Sequence, residues 1–329
     1  MWFSISGGGL AVTKRYATRH RSGRLPPGSL IGWFDRQIPV TLLFAPLGKA
    51  LGVARMISVS IIISTYNRPS ALIASLIALG RQTRHDFEIV VGDDGSSEET
   101  AAAVETFRAS APVPVKHVWQ PDEGFRLAAV RNRAIERAVG EYLIVTDGDC
   151  LFLPDAVDRH LRLAEPGWFV SGKRCYLRQR PTDGILRDPW RAPPASRLYW
   201  FAQSLLNRCT RPFEFLILPD REWRKNRADR WQQVQTCNLG VWRADALAIG
   251  GFDESYRGHG LEDSDFALRL LRHGVRRKRG DHALPVLHLS HPRPTGGPSP
   301  NVARFEALLA CDRVQASIGI APAPEPDSG

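Results

Sequence analysis

The tripeptide Asp147-Gly148-Asp149 follows an apolar run, residues 142–145, that has the pattern of a buried strand. Two carboxylates on either side of a glycine can face the same way and share one hard divalent cation with the oxygen atoms of a diphosphate. Such a cation offsets the negative charge that develops on a departing diphosphate. Taken alone, however, the tripeptide is more simply a tight turn, because Asp and Gly are ordinary turn residues. The choice between a metal site and a turn therefore depends on where the tripeptide lies among the other predicted strands and helices.

Two further polar clusters follow apolar runs in the same way. Thr65, Asn67 and Arg68 come after the first run of the chain, and Asp93 and Asp94 come after the second. In a parallel sheet, ligands bind beyond the carboxyl ends of the strands. A carboxylate there can accept hydrogen bonds from a base N–H or a ribose hydroxyl, and the first cluster could complete a nucleoside pocket.

Basic side chains lie near the start of the helix that is predicted at residues 127–139. Arg126 and Arg131 could reach a phosphate or an acceptor from this position. A solvated basic helix face explains Arg126 equally well. Ser96 can cap the helix that follows the second polar cluster, and this role is compatible with nucleotide binding nearby.

A glycine-rich loop leads into a predicted helix that begins with Glu262, Asp263 and Asp265. Acids at a helix N-terminus interact favourably with the helix dipole, so capping is a serious alternative to a catalytic role. One acid is enough for capping, and a second acid that points into a cleft could take the proton from an acceptor hydroxyl.

His288 and His291 lie in and just after an apolar run near residue 287. A histidine at the end of an apolar strand can be a third metal ligand. A lone histidine is more often structural, so this assignment depends on the metal that is proposed at Asp147 and Asp149.

The elements that must position these side chains alternate between short β-branched runs and amphipathic runs. Strands are predicted at residues 58–64, 87–91, 115–119, 142–145 and 237–242. Helices are predicted at residues 69–79, 98–109, 127–139, 155–164, 244–249, 262–273 and 302–317. This alternation predicts an α/β fold with a mainly parallel central sheet flanked by helices. Residues 176–231 are rich in Arg, Pro and Trp and have no clear period over most of their length.

The amino-acid composition excludes several classes of protein. The apolar content of 43% excludes global disorder, and the net charge of +10 is concentrated in residues 1–55, so it does not indicate binding to nucleic acid. The five cysteines form no C-x-x-C pair, which favours a reducing, cytoplasmic compartment over a disulfide framework or a zinc site. The basic, Trp-rich middle segment leaves peripheral contact with an anionic inner membrane face open.

The motifs resemble those of the family 2 glycosyltransferases, which have the GT-A fold, a Rossmann-like nucleotide-diphospho-sugar transferase fold. The segments that carry the resemblance are SIIISTYNRP, VVGDDGSS, GFRLAAVRNRAI and GEYLIVTDGDC. Two later segments, NLGVWRADALAIGGFDESYRGHGLEDSDFALRLLRHG and LHLSH, look like the galactosyltransferase-type carboxyl half of chondroitin-polymerase-like enzymes and polypeptide GalNAc-transferases. The six segments follow the order of the family.

The resemblance implies a role for the candidate residues. Asp263 is expected to be the general base of an inverting transfer, and Glu262 to bind sugar hydroxyls. Asp147, Asp149 and His288 are expected to hold Mn²⁺ or Mg²⁺. The residues expected to bind the donor are Thr65, Asn67, Arg68, Asp93, Asp94, Arg126, Asn132, Asp147, Gly148 and Asn238.

The expected organisation is a basic, poorly ordered extension over residues 1–55 and a GT-A domain over residues 56–291. The parts of this domain are a nucleotide-sugar half (56–172), an Arg/Trp-rich insertion (173–235) and an acceptor half (236–291). A C-terminal helix and a disordered tail follow over residues 292–329.

The expected reaction is transfer of a sugar from a UDP-linked donor to a saccharide or lipid-linked acceptor, in the synthesis of a bacterial surface polysaccharide or lipopolysaccharide. His259-Gly260-Leu261 stands where the family often has Trp-Gly-Gly, so the identity of the donor sugar stays open. The alternative is a membrane-surface or polyanion-binding protein on the same scaffold, without transferase activity. A nucleotidyltransferase ranks lower, because no glycine cluster follows the first strand.

Overall fold

The computed structural model describes residues 59–190, 196–292 and 299–321. The strands are β1 (Val59–Thr65), β2 (Phe87–Asp93), β3 (Val115–Trp119), β4 (Tyr142–Asp147), β5 (Cys150–Phe152), β6 (Trp168–Ser171), β7 (Lys173–Tyr176), β8 (Asn238–Trp242), β9 (Arg276–Arg279) and β10 (Pro285–His288). The α-helices are α1 (Pro69–Gly80), α2 (Glu98–Arg108), α3 (Leu127–Arg137), α4 (Ala156–Leu163), α5 (Gln179–Arg187), α6 (Arg197–Leu205), α7 (Arg243–Ala248), α8 (Glu262–Arg272) and α9 (Val302–Leu309). The predictions for residues 1–55 and for the end of the tail lie outside the described residues.

The central sheet has seven strands in the order β3-β2-β1-β4-β8-β6-β9. The first four are parallel to one another, β8 is antiparallel to both of its neighbours, and β9 is parallel to β6. The register places Thr65 beside Asp93, and Ser64 beside Asp147. The polar strand ends therefore meet at one edge of the sheet, and the prediction of a mainly parallel sheet flanked by helices is confirmed.

Burial on both faces explains why the central strands are apolar along their whole length. Every residue of β1 is buried. Ile61 and Ile63 pack into the core on one face of the sheet, whereas Ile62 packs into the core on the other face. Helices on both sides complete these two cores, which fixes the strand ends that carry the polar residues.

A second sheet of three strands, in the order β5-β10-β7, continues the chain beyond β4. Gly148 lies in the connection between β4 and β5, and its N–H donates a hydrogen bond to the Ser64 carbonyl at 2.7 Å. A Cβ at Gly148 would lie 2.9 Å from that carbonyl oxygen, so a larger residue would force the two chains apart. In the second sheet His288 pairs with Cys150 on one side and with Tyr176 on the other.

The predicted Arg/Trp-rich insertion at residues 173–235 contains regular elements. Lys173–Tyr176 forms β7 of the second sheet, and the following residues include α5 and α6 rather than only irregular chain. Fully buried Arg224 holds the later part of the segment, since its guanidinium donates to the carbonyls of Leu218 and Asp281. The insertion is thus integrated into the fold.

The helix that was predicted over residues 302–317 is shorter, because α9 ends at Leu309. Beyond it the chain turns back toward Asp253, a fully buried carboxylate. Asp253 accepts hydrogen bonds from the Ser317 N–H at 2.8 Å and from Arg313 at 3.1 Å. In a continuous helix the Ser317 N–H would instead donate to the Arg313 carbonyl.

Among the helices that the structure describes, none combines the length and the apolar composition that a membrane span needs. All five cysteines are free thiols, and four of them are buried.

Candidate active site

A cleft of about 520 Å³ opens at the carboxyl edge of the central sheet. This volume lies within the usual range for small-molecule sites. The predicted residues that line it are Thr65, Arg68, Asp94, Asp147, Gly148, Asp149, Glu262, Asp263 and His288. The cleft therefore joins the ends of β1, β4 and β10 to the start of α8.

Arg131 of α3 forms the inner wall of this cleft, with its side chain 2% exposed. Its Nη2 donates to Oδ1 of Asp147 at 2.9 Å, and its Nη1 lies 3.3 Å from Oδ1 of Asp263 and 3.7 Å from Oε1 of Glu262. Burial alone would lower the pKa of Arg131, but the three carboxylates outweigh it and raise the pKa. One buried cation thus neutralises acids from β4 and from α8.

Asp147 is also bound by Arg174 of β7, whose Nη2 lies 3.3 Å from Oδ2. Nε of Arg174 donates to Sγ of Cys237 at 2.9 Å, which fixes the guanidinium. The sequence suggests that the carboxylates of Asp147 and Asp149 face the same side. In the structure they face different partners. Asp147 faces two arginines, and Asp149 faces a different set of partners.

Two histidines, His288 and His291, lie next to the Asp149 carboxylate. Its Oδ1 is 3.4 Å from Nε2 of His288, and its Oδ2 is 3.3 Å from Nε2 of His291. One ligand atom from each of the three residues lies within 4.8 Å of the others. Burial lowers the pKa of His288, which favours the neutral ring, and its buried Nδ1 has no partner among the described residues. A carboxylate beside two imidazoles fits Mn²⁺, although Arg68 also contacts Asp149 at 2.6 Å.

Glu262 and Asp263 occupy the first turn of α8, where Leu261 has a left-handed φ of 75°. Asp263 is fixed by Thr236, which donates both its N–H, at 3.1 Å, and its hydroxyl. Oε2 of Glu262 is buried without a partner among the described residues. Burial, followed by the neighbouring Asp263, raises the pKa of Glu262 to about 7. The Asp263 side chain is 26% exposed and that of Glu262 is 11% exposed, so Asp263 is the more accessible acid.

Asp94 lies at the other end of the cleft. It accepts hydrogen bonds from Nε2 of Gln120 at 2.5 Å and from the backbone N–H of Arg126 at 2.8 Å. Burial raises the pKa of Asp94 despite these donors. The Arg126 guanidinium instead contacts the Pro121 carbonyl and Glu123, away from the cleft.

Five predicted donor-binding residues do not line the cleft: Asn67, Asp93, Arg126, Asn132 and Asn238. Asn132 bonds both the N–H and the carbonyl of Phe252, at 2.8 Å each. Asn238 bonds His160 at 2.8 Å and the Leu284 carbonyl at 2.7 Å. Both amides are almost completely buried. In this structure they therefore support the residues around the cleft and do not line it.

Asn67 and Asp93 hold neighbouring loops. Asn67 accepts a hydrogen bond from the Ser97 N–H at 2.9 Å, and its own N–H donates to the Ser96 hydroxyl. Asp93 accepts from the Ser96 N–H and contacts His117 at 3.0 Å. These contacts join the ends of β1 and β2, which places Thr65 and Asp94 in the cleft wall.

Sequence reasoning missed three residues that shape the cleft. Gln120 follows β3 and therefore carried the same strand-end signal as the polar clusters. Arg174 and Thr236 carried no such signal in the sequence, because only the tertiary fold brings their partners near them.

Residues 60–216 match the family described as glycosyl transferase family 2, and residues 222–292 match the one described as N-terminal domain of galactosyltransferase. Validoxylamine A glucosyltransferase of Streptomyces hygroscopicus subsp. limoneus is 30% identical over 256 residues, which are 72% of this chain and 52% of that protein. Chondroitin synthase of Escherichia coli is 28% identical over 241 residues, which are 65% of this chain and 32% of that protein. The chain thus spans about half, or less, of these relatives.

The fold is shared with a solved structure, the 1–349 fragment of S. aureus TarS in complex with UDP-GlcNAc. The TM-score is 0.52 at 18% identity, and the match covers 79% of this chain and 68% of that one. This likeness supports the architecture that was built above from the strand pairings.

Proposed function

Because this chain belongs to the family 2 glycosyltransferases, we propose that it transfers a sugar from a UDP-linked donor to a saccharide or lipid-linked acceptor. The transfer is metal-dependent and inverts the anomeric centre. The observation that carries the proposal is the cleft in which Arg131 joins Asp147 to Glu262 and Asp263. Strand-end acids and helix-start acids thus converge on one cleft.

The donor lies along the strand ends in this proposal. Thr65 and Asp94 bind the nucleoside, since both line the cleft at the ends of β1 and β2. The diphosphate lies near Asp149, where His288 and His291 are the further ligands for Mn²⁺ or Mg²⁺. The cation, when bound, offsets the charge of the leaving diphosphate.

The acceptor hydroxyl lies near Asp263. Its oxygen attacks the anomeric carbon on the side opposite the diphosphate, and the bond to the diphosphate oxygen breaks as the new glycosidic bond forms. Asp263 takes the hydroxyl proton, which is general-base catalysis. Thr236 and Arg131 hold the Asp263 carboxylate in place for this step. Glu262, with a pKa of about 7, hydrogen-bonds a sugar hydroxyl.

The biological setting follows from the same proposal. One relative is named as a glucosyltransferase and another as a chondroitin synthase, which supports a hexose or N-acetylhexosamine donor and a saccharide acceptor. We place the reaction in the cytoplasm at the inner membrane face, in the synthesis of a bacterial surface polysaccharide or lipopolysaccharide. A purely membrane-binding or polyanion-binding role would leave the acids of the cleft without a purpose.

A panel of UDP- and GDP-sugars tests the proposed function. The purified protein is incubated with each donor and Mn²⁺, and release of the nucleoside diphosphate is measured. We expect release from at least one UDP-sugar, its loss with EDTA and its return with excess Mn²⁺. Absence of both turnover and binding for every donor would contradict the proposal, as would turnover that EDTA does not affect.

A further inference from the structure

The outward face of α6 is apolar. Leu198, Tyr199, Ala202, Leu205 and Leu206 have the spacing of one helix face, and all five are exposed. Leu198 is 76% exposed, Leu205 64% and Leu206 62%. A helix on the surface of a soluble protein normally shows the reverse pattern, with its polar face toward water.

This face continues onto the neighbouring 3-10 turn, Pro212–Phe215, which lies against α6. Phe213 is 63% exposed, and Leu216 and Leu218 are each 44% exposed. We call the exposed apolar side chains of residues 198–218 the α6 surface. Exposed apolar side chains that cluster in this way commonly mark a binding site.

The exposed charged side chains within residues 197–219 are arginines. Arg208 and Arg211 are exposed. Glu214 is the one acid in residues 197–219, and it is buried with its carboxylate on the His282 N–H at 2.7 Å. Exposed apolar side chains among arginines are typical of surfaces that rest on anionic lipid. A second copy of the chain would bring the same positive charges face to face, which disfavours a symmetric dimer here.

A groove of about 630 Å³ adjoins the cleft and shares Arg174, His288 and His291 with it. Thr210, directly after the buried Cys209 at the end of the α6 segment, lines one part of it, and His288 and His291 line the other. Arg178 lies along the groove, where a guanidinium can bind a phosphate. A head group that leaves the bilayer could thus reach Asp149 and its histidines.

We propose that the α6 surface rests on an anionic bilayer and that the groove admits the head group of a lipid-linked acceptor. The inference deepens the proposed function, because it rests on an acceptor that is presented at a membrane. The apolar side chains enter the interface, and the arginines contact the lipid phosphates.

Vesicle sedimentation with the full chain tests this proposal. The vesicles are phosphatidylcholine alone, or phosphatidylcholine with phosphatidylglycerol, at low and high salt. We expect binding to the anionic vesicles at low salt and a drop of at least about tenfold in the partition coefficient for Leu205→Glu/Leu206→Glu, which places two like charges at an anionic surface. Val139→Glu is the control, since Val139 is 71% exposed in the irregular segment after α3, and it should bind like the wild type.

Three results would overturn the proposal. In the first, the wild type binds neither kind of vesicle. In the second, the wild type and the double variant bind equally well. In the third, the wild type forms a dimer that the two substitutions disrupt, and neither protein binds vesicles. Donor turnover with the soluble donor is measured on the same samples. The double variant should keep it, because both leucines lie outside the cleft lining. A protein that binds vesicles without turning over any donor would refute the proposed function alone.

Discussion

Nη2 of Arg131 donates a 2.9 Å hydrogen bond to Oδ1 of Asp147 from within the protein interior. The donor comes from α3 and the acceptor from the end of β4, so the contact ties a helix to the strand that ends in the cleft. The same guanidinium approaches Asp263 and Glu262. An acid at the end of β4 and two acids at the start of α8 therefore depend on one buried positive charge.

Arg131→Met should destabilise the fold, because it removes the cation that Asp147, Glu262 and Asp263 share, although Asp147 keeps its contact with Arg174. Breaking a buried ion pair from one side commonly costs about 3–5 kcal/mol. We expect a loss of this order in the free energy of unfolding, measured by urea titration at pH 7. Arg133→Met is the control on the exposed face of the same helix, and it should change stability by less than about 0.5 kcal/mol. Equal stability of the two variants would contradict the role of Arg131.

His288→Gln should weaken metal binding. The substitution removes one imidazole from the group formed with Asp149 and His291, and we expect the dissociation constant for Mn²⁺ to rise at least about tenfold. Electron paramagnetic resonance of free Mn²⁺ measures this without an activity assay. His85→Gln, at an exposed position away from the cleft, should bind Mn²⁺ like the wild type. Unchanged affinity in His288→Gln would exclude it as a ligand.

Glu262→Gln should alter how stability depends on pH. The fold raises the pKa of Glu262 from 4.5 to about 7, so the folded protein holds this proton more tightly than the unfolded chain. The resulting stability is fully present below about pH 4.5 and is lost as the pH rises toward 7. Between pH 5 and pH 8, the wild type should lose up to about 3 kcal/mol relative to Glu262→Gln.

The free energy of unfolding of both proteins at pH 5 and pH 8 provides this comparison. Glu136→Gln, an exposed substitution on α3, should follow the wild type. Parallel pH curves for the wild type and Glu262→Gln would show that burial does not perturb this acid.

Gly148→Ala should strain the connection between the two sheets. Its Cβ would approach the Ser64 carbonyl oxygen at 2.9 Å and the Thr65 side chain at 3.3 Å. Such overpacking costs about 1–3 kcal/mol. Gly184→Ala is the control, because its Cβ would meet nothing within 4 Å, and alanine in α5 should be neutral or stabilising by up to about 1 kcal/mol. Thermal unfolding of both variants separates the two outcomes, and equal melting temperatures would contradict the close approach.

The central sheet was predictable because its signal is local. A β-branched run such as β1 is buried on both faces, and burial on both faces demands apolar residues throughout. The rule that ligands bind at the carboxyl ends of parallel strands then placed Thr65, Asp94 and Asp147 in one cleft. In the second sheet β10 gave an apolar run, but β5 has only three residues and β7, Lys-Arg-Cys-Tyr, has no apolar alternation.

Side-chain direction was the part that the sequence could not supply. Asp147 and Asp149 are two positions apart, yet one faces Arg131 and Arg174 while the other faces two histidines. Asn132 has a polar side chain on a helix beside the cleft, but its hydrogen bonds go to the backbone of Phe252. These choices depend on distant residues that only the folded chain brings near.

The most direct measurement compares the wild type with Asp263→Asn, using the donor that the nucleotide-sugar panel identifies. The rate of Mn²⁺-dependent nucleoside diphosphate release and the dissociation constant of the donor are measured for both proteins. We expect a rate loss of at least about 100-fold for Asp263→Asn, as for removal of a general base, with a donor dissociation constant close to that of the wild type. Equal rates in the two proteins would contradict the assignment of proton transfer to Asp263.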